Sequence, residues 1–236
     1  MSEVDEILAA AEAGDAERLR QLLAADPSLA DVTGHFGKTP LHLAAEHDHR
    51  QVAELLLAAG ARLESETTWR MTPLEWAANQ GSRLVAEALL AAGAQLHLWA
   101  AAGLGMVDEA KGFWDQAGEL RAEAYKPELR QQADGSWLPD PADFDDQRLI
   151  SDSFYIACRN GHTEVARYLL DRGADVDFRG FFGGTALHWA GIHGHRETVE
   201  FLLAAGARTD LLDEQHKATP RQWALEGGHP EIAALL

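Results

Sequence analysis

The apolar positions of this chain fall in short blocks at helical spacing, and the blocks return at a fixed interval. Val52, Ala53, Leu56 and Leu57 match Val165, Ala166, Leu169 and Leu170, and Val199, Leu202 and Leu203 repeat the phrase. Residues spaced i, i+3, i+4 lie on one face of a helix, so each block predicts a short amphipathic helix. A second, shorter helix is predicted ahead of each, opened by Thr39-Pro40, Thr72-Pro73 and Thr219-Pro220. Thr can cap a helix and Pro is tolerated in its first turn. Gly161-His162, Gly194-His195 and Gly228-His229 mark the turn between paired helices. Gly60-Ala61, Gly93-Ala94, Gly173-Ala174 and Gly206-Ala207 mark the ends of the second helices, where glycine takes a left-handed conformation without a Cβ penalty.

Aligned on the Thr39 position, the register points are Asp5, Thr39, Thr72, Leu96, Asp152, Thr185 and Thr219. Their spacings are 34, 33, 24, 56, 33 and 34 residues, so four of six intervals share one period. One helix pair cannot bury both its apolar faces, and repeated pairs must stack. TPLHLAA (39–45), GHTEVARYLLDRGADVD (161–177) and TALHWAGIHGHRETVEFLLAAGA (185–207) resemble ankyrin repeats over whole units. The resemblance covers nearly the whole chain. It implies an all-α solenoid of about seven helix-turn-helix units, with projecting β-hairpin fingers and a concave face that usually binds proteins. The expected organisation is one domain over 1–236: a capping repeat at 1–36, regular repeats at 37–95, an irregular repeat at 96–118, an inserted loop at 119–148, repeats at 149–216 and a capping repeat at 217–236.

The middle departs from the period. The unit before Leu96 is 9 residues short, so a finger is missing after Ala94, and the next is 23 residues too long. The surplus begins with a possible helix, ELRAEAY, and contains Pro127, Pro139 and Pro141 with Tyr125, Trp137, Leu138 and Phe144 as apolar anchors. Long inserts in compact domains are often functional. This one is expected to fold back over the missing finger, or to be a decoration that seals an exposed repeat edge.

Charge narrows the partners. Lys and Arg total 20 against 38 Asp and Glu, a formal charge of −18. Such a field repels a phosphate backbone, so nucleic acid and anionic membrane are not expected partners. With one cysteine, Cys158, no intrachain disulfide forms. The acidic N-terminus is unlike a signal peptide and no apolar run reaches about 20 residues, so cytoplasmic residence is expected.

Little points to catalysis or metal. His42, His188, His49 and His195 sit where the resembled repeat carries histidine, leaving His47 and His193 unexplained. Zinc needs a third converging ligand, and no metal or cofactor is expected. Asp140, Asp143, Asp145 and Asp146 lack the glycine and glutamate of a calcium loop. Cys158 stands where neighbouring units have Ala45 or Gly191, which reads as a buried small group. Trp76, Trp189 and Trp223 take the Leu43 position and are expected in the core.

The finger tips differ, because a tip has no core to enter. Phe36, Trp69, Phe181 and Phe182, with Arg70 and Arg179, are residue types enriched at interface hot spots. With Glu46, His47, Asn79, Gln80, Arg159, Asn160 and His193 on the first helices, they are the candidate surface of a monomeric, non-enzymatic protein-binding scaffold. The competing expectation is an enzyme or small-molecule binder, with a pocket between the 119–148 insert and the concave face near Tyr155, His188, His193 and Arg159.

Overall fold

The computed structural model describes residues 2–126, 129–131, 137–139 and 145–236, with backbone alone for 129–131 and 137–139. The described chain falls into two compact units, Met1–Leu96 and His97–Leu236.

In the first unit the helices come as pairs: α1 (Glu3–Ala13) with α2 (Ala16–Ala25), α3 (Pro40–Glu46) with α4 (Arg50–Ala58), and α5 (Pro73–Gln80) with α6 (Arg83–Ala91). First helices α1, α3 and α5 pack side by side, and α2, α4 and α6 form a second layer against them. Ile7, Leu19, Leu41, Leu56, Leu74 and Leu89 are fully buried between the layers. Each such leucine contributes about 1.5–3 kcal/mol, which offsets the weak intrinsic stability of helices this short. Gly60 closes the α4 turn at φ 88°, as its position predicted.

The second unit has the same two-layer build. Its first layer is α7 (Leu98–Gly103), α9 (Asp146–Arg159), α11 (Ala186–Ile192) and α13 (Pro220–Glu226). Behind them lie α8 (Val107–Gly112), α10 (Thr163–Asp171), α12 (Arg196–Ala204) and α14 (Pro230–Ala233). Leu98, Phe154, Ile156, Leu169, Leu187 and Leu202 are fully buried. So is Cys158, whose thiol is pushed well above its usual range by burial, in keeping with a small apolar group.

The first-layer helices start by one recurring device. Thr72 and Glu75, and Thr219 and Gln222, form reciprocal caps between side chain and backbone. At Thr39 and Thr185 the partner is histidine: His42 Nδ1 accepts from the Thr39 backbone N–H at 3.1 Å, and His188 Nδ1 from that of Thr185 at 3.1 Å. An accepting Nδ1 leaves the proton on Nε2, which donates to the carbonyl of Met71 at 2.9 Å in one case and of Ala218 at 3.1 Å in the other. Each ring thus ties a helix start to the loop entering the next helix.

Those loops end in tight tips rather than extended hairpins. Gly34 N–H donates to the Lys38 carbonyl at 2.8 Å, Thr67 N–H to Met71 at 3.0 Å and Gly180 N–H to Gly184 at 3.1 Å. The tip residues Phe36, Arg70, Phe182 and Lys217 have φ of 57°, 60°, 58° and 54°. Such left-handed backbone disfavours non-glycine residues. The tip before α13 is held by Asp213, fully buried, whose carboxylate accepts from the N–H groups of Gln215 (2.9 Å), His216 (2.6 Å) and Ala218 (2.8 Å) and from the Trp223 indole (3.1 Å).

Several boundaries depart from expectation. α1 is capped three residues ahead of its register point, at Ser2, because Ser2 and Asp5 cap one another. ELRAEAY gives one 3-10 turn, Ala122–Ala124. Its upstream backbone is already engaged, with Leu120 bridged to Trp114 and Arg121 N–H bonded to the Phe113 carbonyl at 2.8 Å. α9 reaches back into the expected loop, with Asp145 accepting from Arg148 N–H at 3.0 Å, so Asp145 caps a helix. Within the insert, β1 (Leu129–Gln131) pairs antiparallel with β2 (Trp137–Pro139). Tyr125 is buried and its hydroxyl donates to Asp146. The remaining expectations for the insert, its anchors Trp137, Leu138 and Phe144 and the acids Asp140 and Asp143, fall outside the described side chains, as does any pocket between insert and helices.

Candidate functional site

In the first unit the tips carry a ladder of rings. Phe36 packs against His35 at 3.6 Å and against Trp69 at 4.6 Å between centroids, and Trp69 stacks on Trp76 at 5.8 Å. Thr68 N–H donates to the Phe36 carbonyl at 2.9 Å, which fixes one tip beside the next. Phe36 and Trp69 are 45% and 50% exposed, whereas Trp76 is buried. Lys38 Nζ lies 4.6 Å from the Trp76 ring and 2.5 Å from Glu46, a cation between a π face and a carboxylate. Arg70 pairs with Glu66 at 3.2 Å. His47 and Gln80 are exposed at the ends of α3 and α5, and His47 lies 5.7 Å from His49. His49 in turn bonds the Glu12 carbonyl at 3.1 Å.

The second unit repeats the theme more densely. Phe181 and Phe182, 43% and 56% exposed, top the tip before α11. Glu214 N–H donates to the Phe182 carbonyl at 2.9 Å, the counterpart of the Thr68 bond. Trp189 receives Phe182 at 6.4 Å and His193 at 5.8 Å, both close to parallel, and the Arg159 guanidinium sits 4.4 Å from its ring. Trp189 is therefore half-exposed, against the expectation of a core residue, while Trp76 and Trp223 are buried as expected. Leu43 at the same register position is also only half-buried, so this position lies at the edge of the core and its burial is set by the neighbours of each unit.

Two candidates are committed to structure. Arg179 Nη1 donates to the carbonyls of Gly183 and Leu212, both at 2.9 Å, fastening two tips together. Asn160 donates to the Gly103 carbonyl at 2.7 Å. His188 is likewise absorbed as a cap, so the group expected at Tyr155, His188, His193 and Arg159 loses one member.

Titratable groups in the second unit are strongly perturbed, as functional sites often are. Arg148, Asp152, Tyr155 and Arg159 fall at helical intervals on α9. Burial pushes the Asp152 carboxyl up to about 6, against the opposing pull of the Trp99 indole and the Arg148 charge. Burial also raises Tyr155 and lowers Arg159. His193 is held at about 4 by burial, then by the charges of Arg159, His195 and His229. Tyr155 is fully buried, and its hydroxyl has no hydrogen-bond partner of ordinary geometry, although the Phe181 backbone and the Trp189 indole face it. The indole nitrogens of Trp189 and Trp76 are buried as well, that of Trp189 facing the Tyr155 hydroxyl.

The tip rings were legible from sequence because a turn offers them no core. Trp189, Lys38 and Asp152 were missed as parts of these clusters. Asp152 had a detectable signal, an acid at a position where neighbouring units carry a capping threonine.

Among known proteins, the family described as ankyrin repeats (3 copies) matches residues 7–98 and 141–213. Mouse "Protein fem-1 homolog A-like" is 41% identical over 81 residues, 34% of this chain and 12% of that protein. The mouse serine/threonine-protein kinase TNNI3K is 38% identical over 82 residues, 31% of this chain and 10% of the kinase. Palmitoyltransferase Hip14 of Drosophila melanogaster is 34% identical over 80 residues, 34% of this chain and 13% of the enzyme. The aligned segments thus span a small fraction of these relatives. No helix among the described residues is long and apolar enough to cross a membrane.

Proposed function

The chain belongs to the ankyrin-repeat family, and from that premise we propose that it is a non-enzymatic protein-binding scaffold in which the seven helix pairs among the described residues are seven repeats. The observation that carries this reading is the recurrence of exposed tip rings stacked on a first-layer tryptophan: Phe36 and Trp69 upon Trp76, and Phe182 upon Trp189. Exposed aromatics beside Lys38 and Arg159 offer large, stiff contact area at little entropic cost. The partner is a protein, met by these tips together with His47, Gln80 and His193. A net charge of −18 disfavours nucleic acid and favours basic surfaces.

The test compares affinity purification from the native cell using the intact chain and the triple variant Trp69→Ala, Phe181→Ala, Phe182→Ala. Loss of the captured protein with melting nearly unchanged supports the reading, since exposed positions usually alter stability by about 0.5 kcal/mol. Capture that survives all three truncations refutes it.

A further inference from the structure

The second-layer helices treat their cations in two ways. Arg20 pairs with Glu17, Arg50 with Glu54 at 2.8 Å and Arg196 with Glu200 at 2.8 Å, the pairing expected three and four residues apart on an exposed helix face. Lys111, Arg167 and Arg172, on α8 and α10 or just beyond, form no ion pair among the described residues. Acids nevertheless stand at helical reach of two of them, Asp108 three residues before Lys111 and Asp171 four after Arg167. Asp115, four after Lys111, is taken up by the N–H groups of Ala117 and Glu119 at 2.8 Å and 3.0 Å.

Aromatic rings hold these cations instead. The Arg172 guanidinium lies 5.1 Å from both the Trp114 and the Tyr168 ring, which meet edge to face at 5.3 Å. Lys111 Nζ lies 5.8 Å from the same Tyr168 ring, and the Arg167 guanidinium 4.8 Å from Phe201. Trp114 and Phe201 are buried and Tyr168 is half-buried, whereas all three cations are exposed. A ring face positions a cation but accepts none of its N–H groups in the way a carboxylate does. The in-plane donors of a guanidinium match a carboxylate in bidentate fashion. Burial raises the Tyr168 hydroxyl and the Arg172 charge opposes that rise, so a neutral donor stands beside the cation.

We propose that Lys111, Tyr168 and Arg172 form a docking surface for an acidic segment of a partner protein, with Arg167 extending it towards α12. Charge complementarity names the occupant: three exposed cations without carboxylate partners, two of them gathered on one ring. Side chains two residues apart on an extended segment face one way at a spacing of about 7 Å, which brings successive carboxylates to Arg172 and Lys111. The chain's charge of −18 repels a long polyanion such as nucleic acid. A short segment meets mainly the local charges, because salt screens more distant ones beyond about 8 Å. The surface lies on second-layer helices and does not involve the tip rings, so it stands apart from the reading of the tips.

Fluorescence anisotropy of a labelled, capped peptide of alternating Glu and Ser, titrated with the full chain, tests this directly. Binding should saturate, weaken as salt is raised and be absent for the matching Gln and Ser peptide. Lys111→Gln with Arg172→Gln should raise the dissociation constant by about tenfold or more, the value of at least one charge-assisted hydrogen bond. The charge-matched control Arg50→Gln with Arg196→Gln, which removes two paired cations, should bind as the parent does, and so should Trp69→Ala, Phe181→Ala, Phe182→Ala. No saturable binding, equal binding of the Gln peptide, tighter binding of a single-stranded oligonucleotide, or an equal loss in either control overturns the proposal. Should the double variant melt early, Lys111→Glu alone replaces it, and unchanged peptide affinity there overturns the proposal as well.

Discussion

Asp213→Asn should destabilise the second unit nearly as much as Asp213→Ala, although it keeps the shape of the side chain. The carboxylate accepts four N–H groups, two on each side: Gln215 and His216 on Oδ1, Ala218 and the Trp223 indole on Oδ2. An amide has one accepting end, so two donors face a donor whichever way it turns. Turned one way, its NH2 meets the Gln215 and His216 amides, which point inward at the fully buried side chain; turned the other way, it meets the Ala218 amide and the Trp223 indole, which is buried against α11. Leaving one or two such donors unpaired costs about 2–5 kcal/mol at 1–3 kcal/mol each with some relaxation. The electrostatics of the carboxyl bear on the same quantity. Burial alone would raise this carboxyl, but its N–H donors outweigh that and bring it to about 2. A pKa depressed from 3.8 corresponds to about 2 kcal/mol. Because the folded value is the lower one, that stability is present above about pH 4 and fades as pH falls towards 2. Urea unfolding at neutral pH and near pH 3, with amide exchange read at residues 215–219, measures both quantities. A neutral-pH midpoint for Asp213→Asn equal to the parent's would refute the reasoning.

Other outcomes follow from the same structure. Leu56→Ala and Leu202→Ala, one in each unit and both fully buried, should each cost about 2–5 kcal/mol, checked by denaturant midpoints. Asp152→Asn should stabilise at neutral pH and gain progressively less as pH falls below about 6, because the raised carboxyl destabilises the fold only when ionised; parallel melting curves across that range decide it. His193 has the opposite sign: its folded value of about 4 lies below the ordinary 6.5, so the parent loses stability as pH falls from 6.5 through 4. His193→Gln should flatten that slope. Gly183→Ala should destabilise through both its φ of 68° and a Cβ 2.2 Å from Glu214, seen as a lowered melting temperature.

Most of the helical layers could be read from the chain because local and global signals agree there. Thr39, Thr72 and Thr219 open helices where Thr-Pro predicted, and the Leu56 and Leu202 positions are buried. The reciprocal caps were also available, since Thr72-x-x-Glu75 and Thr219-x-x-Gln222 are capping-box spacings. What escaped depends on long-range geometry. The Tyr125 bond to Asp146 joins residues 21 apart, and Arg179 is spent on Leu212, 33 residues on; neither spacing has a periodic signature. Trp189 misled because its register position is apolar in character, yet the same position is buried at Trp76 and Trp223 and only half-buried at Leu43 and Trp189, a difference set by each unit's neighbours.

The backbone at Phe36 and Phe182, at φ 57° and 58°, bears on how this protein would respond to selection. A bulky residue there is strained, and asparagine or glycine would hold the same turn at lower free energy. A library randomised at both positions and sorted for thermal resistance alone should therefore drift to glycine and asparagine. Sorting the same library for retention of a bound protein should hold the rings in place. The two optima are different sequences, so a version of this chain hardened by heat selection alone would lose its tip rings first.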